Sequence, residues 1–157
     1  MKKVLTIVGA RPQFIKAGPV SRYIRNFETK LEEIYIHTGQ HFDKNMSEVF
    51  FNELDLKKPK YNLGISSLSH GAMTGRMIEE VETILIKEEP NLVLVYGDTN
   101  STLAGAIAAS KLGIPIFHVE SGLRSFNMHM PEEINRTLTD RISSKLFCPT
   151  DTALRNL

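Results

Sequence analysis

Short apolar runs alternate with amphipathic stretches along the whole chain, and this alternation predicts its elements. Lys3 to Val8 is the first apolar, β-branched run, read as a strand. Gly9-Ala10-Arg11-Pro12 breaks it: Gly9 suits a tight turn and Pro12 the first turn of a helix. A short helical piece is expected over Gln13 to Lys16, interrupted at Gly18-Pro19 and resumed over Val20 to Phe27. Glu33 to His37 reads as the second strand, followed by the turn Thr38-Gly39-Gln40-His41. Met46, Val49, Phe50 and Leu54 fall at helical spacing and predict an amphipathic helix over Met46 to Leu54.

Beyond the linker Lys57-Lys58-Pro59-Lys60, Tyr61 to Ile65 is expected as a short third strand and Ser66 to Gly71 as a flexible segment. A long helix follows over Ala72 to Lys87, with Met77, Val81, Ile84 and Leu85 as its apolar stripe. Leu92 to Val95 is the fourth strand, Ser101 to Leu112 an Ala-rich helix ended by Gly113, and Ile114 to Val119 the fifth strand. Arg124 to Met130 reads as a loop. Pro131-Glu132-Glu133 opens another helix, whose buried side should be Ile134, Leu138 and Ile142. Lys145 to Cys148 is a sixth strand, and Thr150-Asp151 should cap a last helix. Strands alternating with helices predict an α/β domain: a parallel sheet with helices on both faces.

Composition narrows the picture. The 157 residues are enough for one domain with a core, and 41% hydrophobic with 24% charged residues is ordinary for a soluble globular chain. A formal net charge of +1 offers no bulk attraction to nucleic acid or to a membrane surface. No apolar run approaches the roughly 20 residues of a membrane span, and Val4 to Val8 is too short for a signal segment. Cys148 is the single cysteine, which excludes a disulfide framework and makes a reducing cytoplasm the default. It precedes a proline at a strand end and is expected to be buried.

The candidate chemistry gathers at strand ends. The fourth strand runs into Gly97-Asp98-Thr99 and the fifth into Glu120-Ser121-Gly122, so two consecutive strands end in a carboxylate. In an open parallel sheet ligands bind outside the carboxyl ends of the strands, which places Asp98 and Glu120 on a shared cleft. Glu132 starts a helix that returns toward the same rim. Gathered carboxylates raise one another's pKa, as acid–base chemistry requires. Plainer roles also fit: Asp98 as a cap, Glu120 paired with Arg124, Glu132 favouring a helix dipole. The turn at Gly9 followed by Arg11 suits an anion, although it is neither G-x-G-x-x-G nor a Walker motif. His37, His41, His70, His118 and His129 are scattered without metal-ligand spacing, and His118 is given no role. Ser121 lacks the setting of a nucleophile elbow.

Taken in order, Gly9-Ala10-Arg11-Pro12-Gln13-Phe14-Ile15-Lys16, Thr38-Gly39-Gln40-His41, Tyr96-Gly97-Asp98-Thr99, His118-Val119-Glu120-Ser121-Gly122-Leu123-Arg124 and Pro131-Glu132-Glu133-Ile134-Asn135-Arg136 resemble the non-hydrolysing UDP-N-acetylglucosamine 2-epimerases. The resemblance covers nearly the whole chain. It implies the first Rossmann-like domain of a glycosyltransferase-B-type pair, over residues 1–157, with the family's second, UDP-binding domain absent. It implies interconversion of UDP-N-acetylglucosamine and UDP-N-acetylmannosamine by anti elimination and re-addition of UDP, with neither a nicotinamide cofactor nor a catalytic metal, in a cytoplasmic homodimer serving surface polysaccharide synthesis.

The same resemblance makes Asp98, Glu120 and Glu132 the catalytic acids. Arg11 and Lys16 belong near the diphosphate, and Arg136 joins them in substrate binding. Gln40 and His41 match a stretch that, in several bacterial members, touches a second, activating UDP-sugar. The chain departs from the family pattern at Asp43 and at Gly71-Ala72-Met73, where the family carries a Gln or Glu and an arginine. Two rivals remain: a hydrolysing relative releasing N-acetylmannosamine, and a non-catalytic nucleotide-sugar-binding module.

Overall fold

A computed structural model describes residues 1–40 and 51–157. Six parallel strands form one sheet: β1 (Lys2–Val8), β2 (Leu31–His37), β3 (Tyr61–Asn62), β4 (Leu92–Tyr96), β5 (Ile116–Val119) and β6 (Lys145–Phe147), in the order β3-β2-β1-β4-β5-β6. Among the described residues five helices accompany them: α1 (Arg11–Arg25), α2 (His70–Glu88), α3 (Asn100–Lys111), α4 (Pro131–Ile142) and, after β6, α5 (Asp151–Arg155). The expected α/β fold with a parallel sheet is present, in a Rossmann-like strand order whose direction reverses between β1 and β4. That reversal opens a crevice at the carboxyl ends of the two strands. Among the described residues, no helix is long and apolar enough to cross a membrane.

The central strands read as continuous apolar runs because both faces of the sheet are covered there, whereas the edge strand β6 is exposed. On one face Leu5, Ile7, Ile34, Ile36, Val93, Val95 and Ile116 pack against Val81, Ile84 and Leu85 of α2 and Ala106, Ala108 and Ala109 of α3. On the other, Val4, Val8, Tyr35, Leu94 and Tyr96 pack against Phe14 and Ala17 of α1 and against Phe51 and Leu56. Helix α3 is buried along most of its length, and that explains its small residues: a Cβ on Gly105 would sit 2.5 Å from Ile7 Cδ1.

Several expectations need correction. Helix α1 is continuous through Gly18-Pro19 instead of two pieces. Pro19 lies on the exposed side, as does Ile15, whose carbonyl loses its helical donor where water can replace it. The segment Ser66 to Gly71, expected to be flexible, contains the start of α2: Ser69 caps the helix by accepting from the Ala72 amide. Strand β3 ends at Asn62 instead of Ile65, although the Leu63 and Ile65 amides still donate to the carbonyls of His37 and Thr38. The helix expected over Met46 to Leu54 falls mostly outside the described residues; residues 51–53 are helical.

The largest correction concerns α4. Its expected buried side, Ile134, Leu138 and Ile142, is 39%, 47% and 36% exposed, and its buried residues are Glu133, Asn135, Thr139 and Asp140. The helix turns its polar face inward because the loops at the strand ends offer it hydrogen-bond partners, described next.

Candidate active site

Three strand-to-helix turns meet at the crevice between β1 and β4. The first leads from β1 into α1. Gly9 is needed there for close approach: a Cβ on it would lie 2.1 Å from Thr38 Oγ1 and 2.2 Å from Ser101 Oγ. Gln13 then fastens this turn to the next. Its Oε1 accepts from the amides of Gly9 at 2.7 Å and Ala10 at 2.9 Å. Its Nε2 donates to the Tyr96 carbonyl at 2.8 Å and to Thr99 Oγ1 and Thr102 Oγ1 at 2.9 Å. Arg11 opens α1 on the exposed side, and Lys16 stands one turn further on.

The second turn follows β4. Gly97 takes φ +65°, a left-handed conformation that suits glycine, and its amide donates to the Val119 carbonyl. Asp98 comes next, and Thr99 caps α3; Asp98 is therefore not the cap. The Asp98 carboxylate pairs with Arg136 of α4 at 2.7 Å, and its backbone carbonyl accepts from Asn135 at 3.0 Å. Burial pushes the Asp98 carboxyl above its ordinary range. Arg136 and Lys16 pull it down, while Glu120 and Glu132 push it further up.

The third turn follows β5. Glu120 is held at φ 71°, a strained conformation for a residue with a Cβ and of the kind that clusters at functional sites. Its carboxylate pairs with Lys16 at 2.7 Å and not with Arg124, which bonds Asp140 instead. Gly97 faces both members of that pair: a Cβ there would stand 3.7 Å from Glu120 Oε1 and 3.8 Å from Lys16 Nζ. Glu132 is exposed at the second position of α4, within electrostatic reach of Asp98.

The structure thus brings Asp98, Glu120, Glu132, Lys16 and Arg136 together. Gln40 lies beside the same rim, its Oε1 accepting from the Ser101 amide at 3.0 Å and the Ser101 hydroxyl at 2.7 Å. His41 lies outside the described residues. Among the described residues no group of three or more His, Cys, Asp or Glu side chains is arranged to hold a metal ion. Cys148, expected to be buried, is half-buried, 3.7 Å from Ser121 Oγ.

Several supporting residues carried no signal in the pattern of apolar and polar positions. Glu133, beside Glu132, is buried and shapes the preceding loop. It accepts from the Ser125 amide at 2.9 Å, the Ser125 hydroxyl at 3.1 Å and the Phe126 amide at 3.0 Å. Burial alone would raise its carboxyl, but these donors and Arg136 outweigh that and hold it below its ordinary value. Asp140 behaves alike: its burial is outweighed by His118 and Arg124. One clue was available for His118. It is a polar residue inside a run that must be buried on both faces, and such a residue needs partners.

The chemistry on offer is proton transfer by carboxylates beside fixed cations suited to a diphosphate. A family model described as UDP-N-acetylglucosamine 2-epimerase matches residues 25–157. The chain is 64% identical to a UDP-2,3-diacetamido-2,3-dideoxy-D-glucuronate 2-epimerase of Pseudomonas aeruginosa, over 99% of this chain and 44% of that protein. It is 58% identical to a UDP-N-acetylglucosamine 2-epimerase of Methanococcus maripaludis, over 100% of this chain and 42% of that protein. It superposes on the crystal structure of Methanocaldococcus jannaschii UDP-GlcNAc 2-epimerase in complex with UDP-GlcNAc and UDP with a TM-score of 0.93 at 53% identity, covering 98% of this chain and 42% of that one. The chain therefore spans less than half the length of these relatives. Matching fold and sequence lead to one conclusion: the chain belongs to the UDP-N-acetylglucosamine 2-epimerase family.

Proposed function

We propose that this domain supplies the catalytic acids of a UDP-N-acetylglucosamine 2-epimerase, as the first of two Rossmann-like domains facing each other across the crevice. The observation that carries this reading is the meeting of Asp98, Glu120 and Glu132 with Lys16 and Arg136 at the carboxyl ends of β1, β4 and β5. The proton at C2 of the sugar is weakly acidic, so its removal needs a placed base and a stabilised departing diphosphate. Burial raises the basicity of Asp98, and Arg136 orients it. Lys16 and Arg11 stand where a diphosphate would approach the start of α1. Glu120 and Glu132 complete the set of groups that move protons as UDP leaves C1 and returns to it, the proton being delivered to the opposite face of C2. Gln40 and His41 belong to an effector contact for a second UDP-sugar. The protein works in the cytoplasm as a homodimer, without bound nucleic acid, and feeds surface polysaccharide synthesis.

A second reading keeps the reaction and changes the sugar. The 64% identity to the diacetamido-glucuronate enzyme favours a 2,3-diacetamido uronate carried on UDP.

The test joins residues 1–157 to the remaining part of the Methanocaldococcus jannaschii relative and incubates the chimera with each UDP-sugar. Formation of the C2 epimer still attached to UDP supports the reading, and the ratio of kcat/KM values selects the sugar. Free N-acetylmannosamine plus UDP would establish the hydrolysing alternative. Tight UDP-sugar binding by residues 1–157 without turnover of the chimera would establish the non-catalytic module.

A further inference from the structure

His118 lies on β5, two residues before Glu120, with no exposed surface. Its Nδ1 is 2.7 Å from Asp140 Oδ1 and its Nε2 is 2.6 Å from the Gly97 carbonyl oxygen. Both partners are acceptors. Asp140 has nothing to give back: its Oδ2 accepts from Arg124 at 2.6 Å and from the Gly122 amide at 3.1 Å, and the carboxyl is held below its ordinary range. A neutral imidazole has one donor nitrogen and one acceptor nitrogen. It would set a lone pair against a lone pair at one of these two contacts, with no water to relieve it. Two acceptors, one at each end of the ring, call for a donor at each ring nitrogen.

The place of this ring matters more than its charge. The Gly97 carbonyl belongs to the peptide that enters Asp98, and the Asp98 carbonyl, held by Asn135, belongs to the peptide that leaves it. Side chains from β5 and α4 thus grip the backbone on both sides of the Asp98 Cα. With both peptides fixed, the carboxylate has only its own side-chain torsions, and Arg136 settles those.

We propose that His118 is a positioning residue: its doubly protonated ring, held by Asp140, clamps the Gly97 carbonyl and so sets Asp98 against Glu120. The role presupposes the epimerase reading, but the clamp itself is a property of residues 1–157. The acids Asp98, Glu120 and Glu132 act on the reacting sugar in this scheme, and His118 does not touch it. His118 acts through the turn between them.

The test has a physical and a kinetic arm. In the unaltered chain, nitrogen NMR of the histidine rings at pH 7 should show both nitrogens of His118 protonated; a neutral ring overturns the proposal. Two variants then separate the ends of the ring. His118→Gln keeps a donor where Nε2 stood, facing Gly97. His118→Asn keeps one where Nδ1 stood, facing Asp140. Carbon NMR follows the titration of the Asp98 carboxyl, against the background of Arg136, Lys16, Glu120 and Glu132. Loss of the clamp in His118→Asn should move that titration, and His118→Gln should leave it near the unaltered value. A ring that only fills space predicts that both variants move it alike, or that neither does, and either result overturns the proposal.

If neither variant folds, the ring-nitrogen measurement still decides. In the chimera, His118→Asn should lower kcat about 10-fold or more with KM little changed, since misplacing a reacting group by about 1 Å has such effects. Equal losses in kcat and in binding would contradict it. A chimera without epimerase activity would remove the functional reading while the NMR result stood by itself.

Discussion

Lys16 Nζ and Glu120 Oε2 meet at 2.7 Å, joining the first turn of the site to the last. Both side chains keep a quarter or more of their surface, so the pair adds little to stability, about 0–1 kcal/mol. In the proposed function the pair parks a cation beside an acid at the rim where a diphosphate would arrive. Lys16→Met should therefore leave denaturant unfolding of the chain within about 1 kcal/mol. In the chimera the same change should lower turnover about 10-fold or more, as expected for loss of a cation that stabilises a departing diphosphate. Normal turnover would remove Lys16 from the site.

Asp98 should show the opposite signs for stability and activity. Its folded carboxyl binds a proton more tightly than in the unfolded chain. Folding is thus favoured most at low pH and loses stability as pH rises through the folded value, so the charged group is a cost at pH 7. Asp98→Asn should leave the chain as stable at pH 7 or up to about 1 kcal/mol more so, with the advantage shrinking in acid. Thermal unfolding at pH 7 and pH 4 measures this; a lower melting temperature for the variant at pH 7 would contradict it. In the chimera, Asp98→Asn, Glu120→Gln and Glu132→Gln should each lower turnover roughly 100-fold or more.

Glu88 titrates the other way. At the far end of the sheet from the site, Lys60 and the Tyr61 hydroxyl bond its carboxylate, Lys3 adds its charge, and together they hold it down at about 2 against an ordinary 4.5. The stabilisation is present in full above the ordinary value and is lost as pH falls through the interval to about 2. Glu88→Gln should cost about 1–2 kcal/mol at pH 7, allowing for the solvent exposure of Lys60, and nothing near pH 2. Urea unfolding across this range checks it.

Helix α4 gives a prediction that its sequence pattern would get wrong. Leu138 is 47% exposed, so Leu138→Lys should change chain stability by no more than about 0.5 kcal/mol. Asp140→Leu, which leaves His118 and Arg124 without their buried acceptor, should cost about 3 kcal/mol or more. Chemical unfolding of the two variants side by side separates a buried polar face from a buried apolar one.

The same helix shows where reading from sequence stops. The strands were legible because a parallel sheet covered on both faces needs unbroken apolar runs, and Asp98 and Glu120 were legible because each stands just past the end of such a run. Helix α4 was read backwards. The rule that an apolar stripe faces the core fails when the loops beside a helix offer it donors and acceptors, as Ser125, Phe126 and His118 do to Glu133 and Asp140. Pro19 misled for a related reason: its penalty depends on which side of the helix faces water. Gln13 and His118 stood inside recognised motifs without a role, since their partners are brought near only by the fold.

The most direct measurement is solvent deuterium at C2. The chimera carrying residues 1–157 is incubated with UDP-N-acetylglucosamine in heavy water, and the recovered UDP-sugars are examined by mass and proton NMR. The account predicts one deuterium at C2 in the epimerised product, with incorporation abolished in Asp98→Asn. Epimerisation with the C2 proton retained, or equal incorporation after all three acids are neutralised, would contradict proton transfer by the carboxylates at these strand ends.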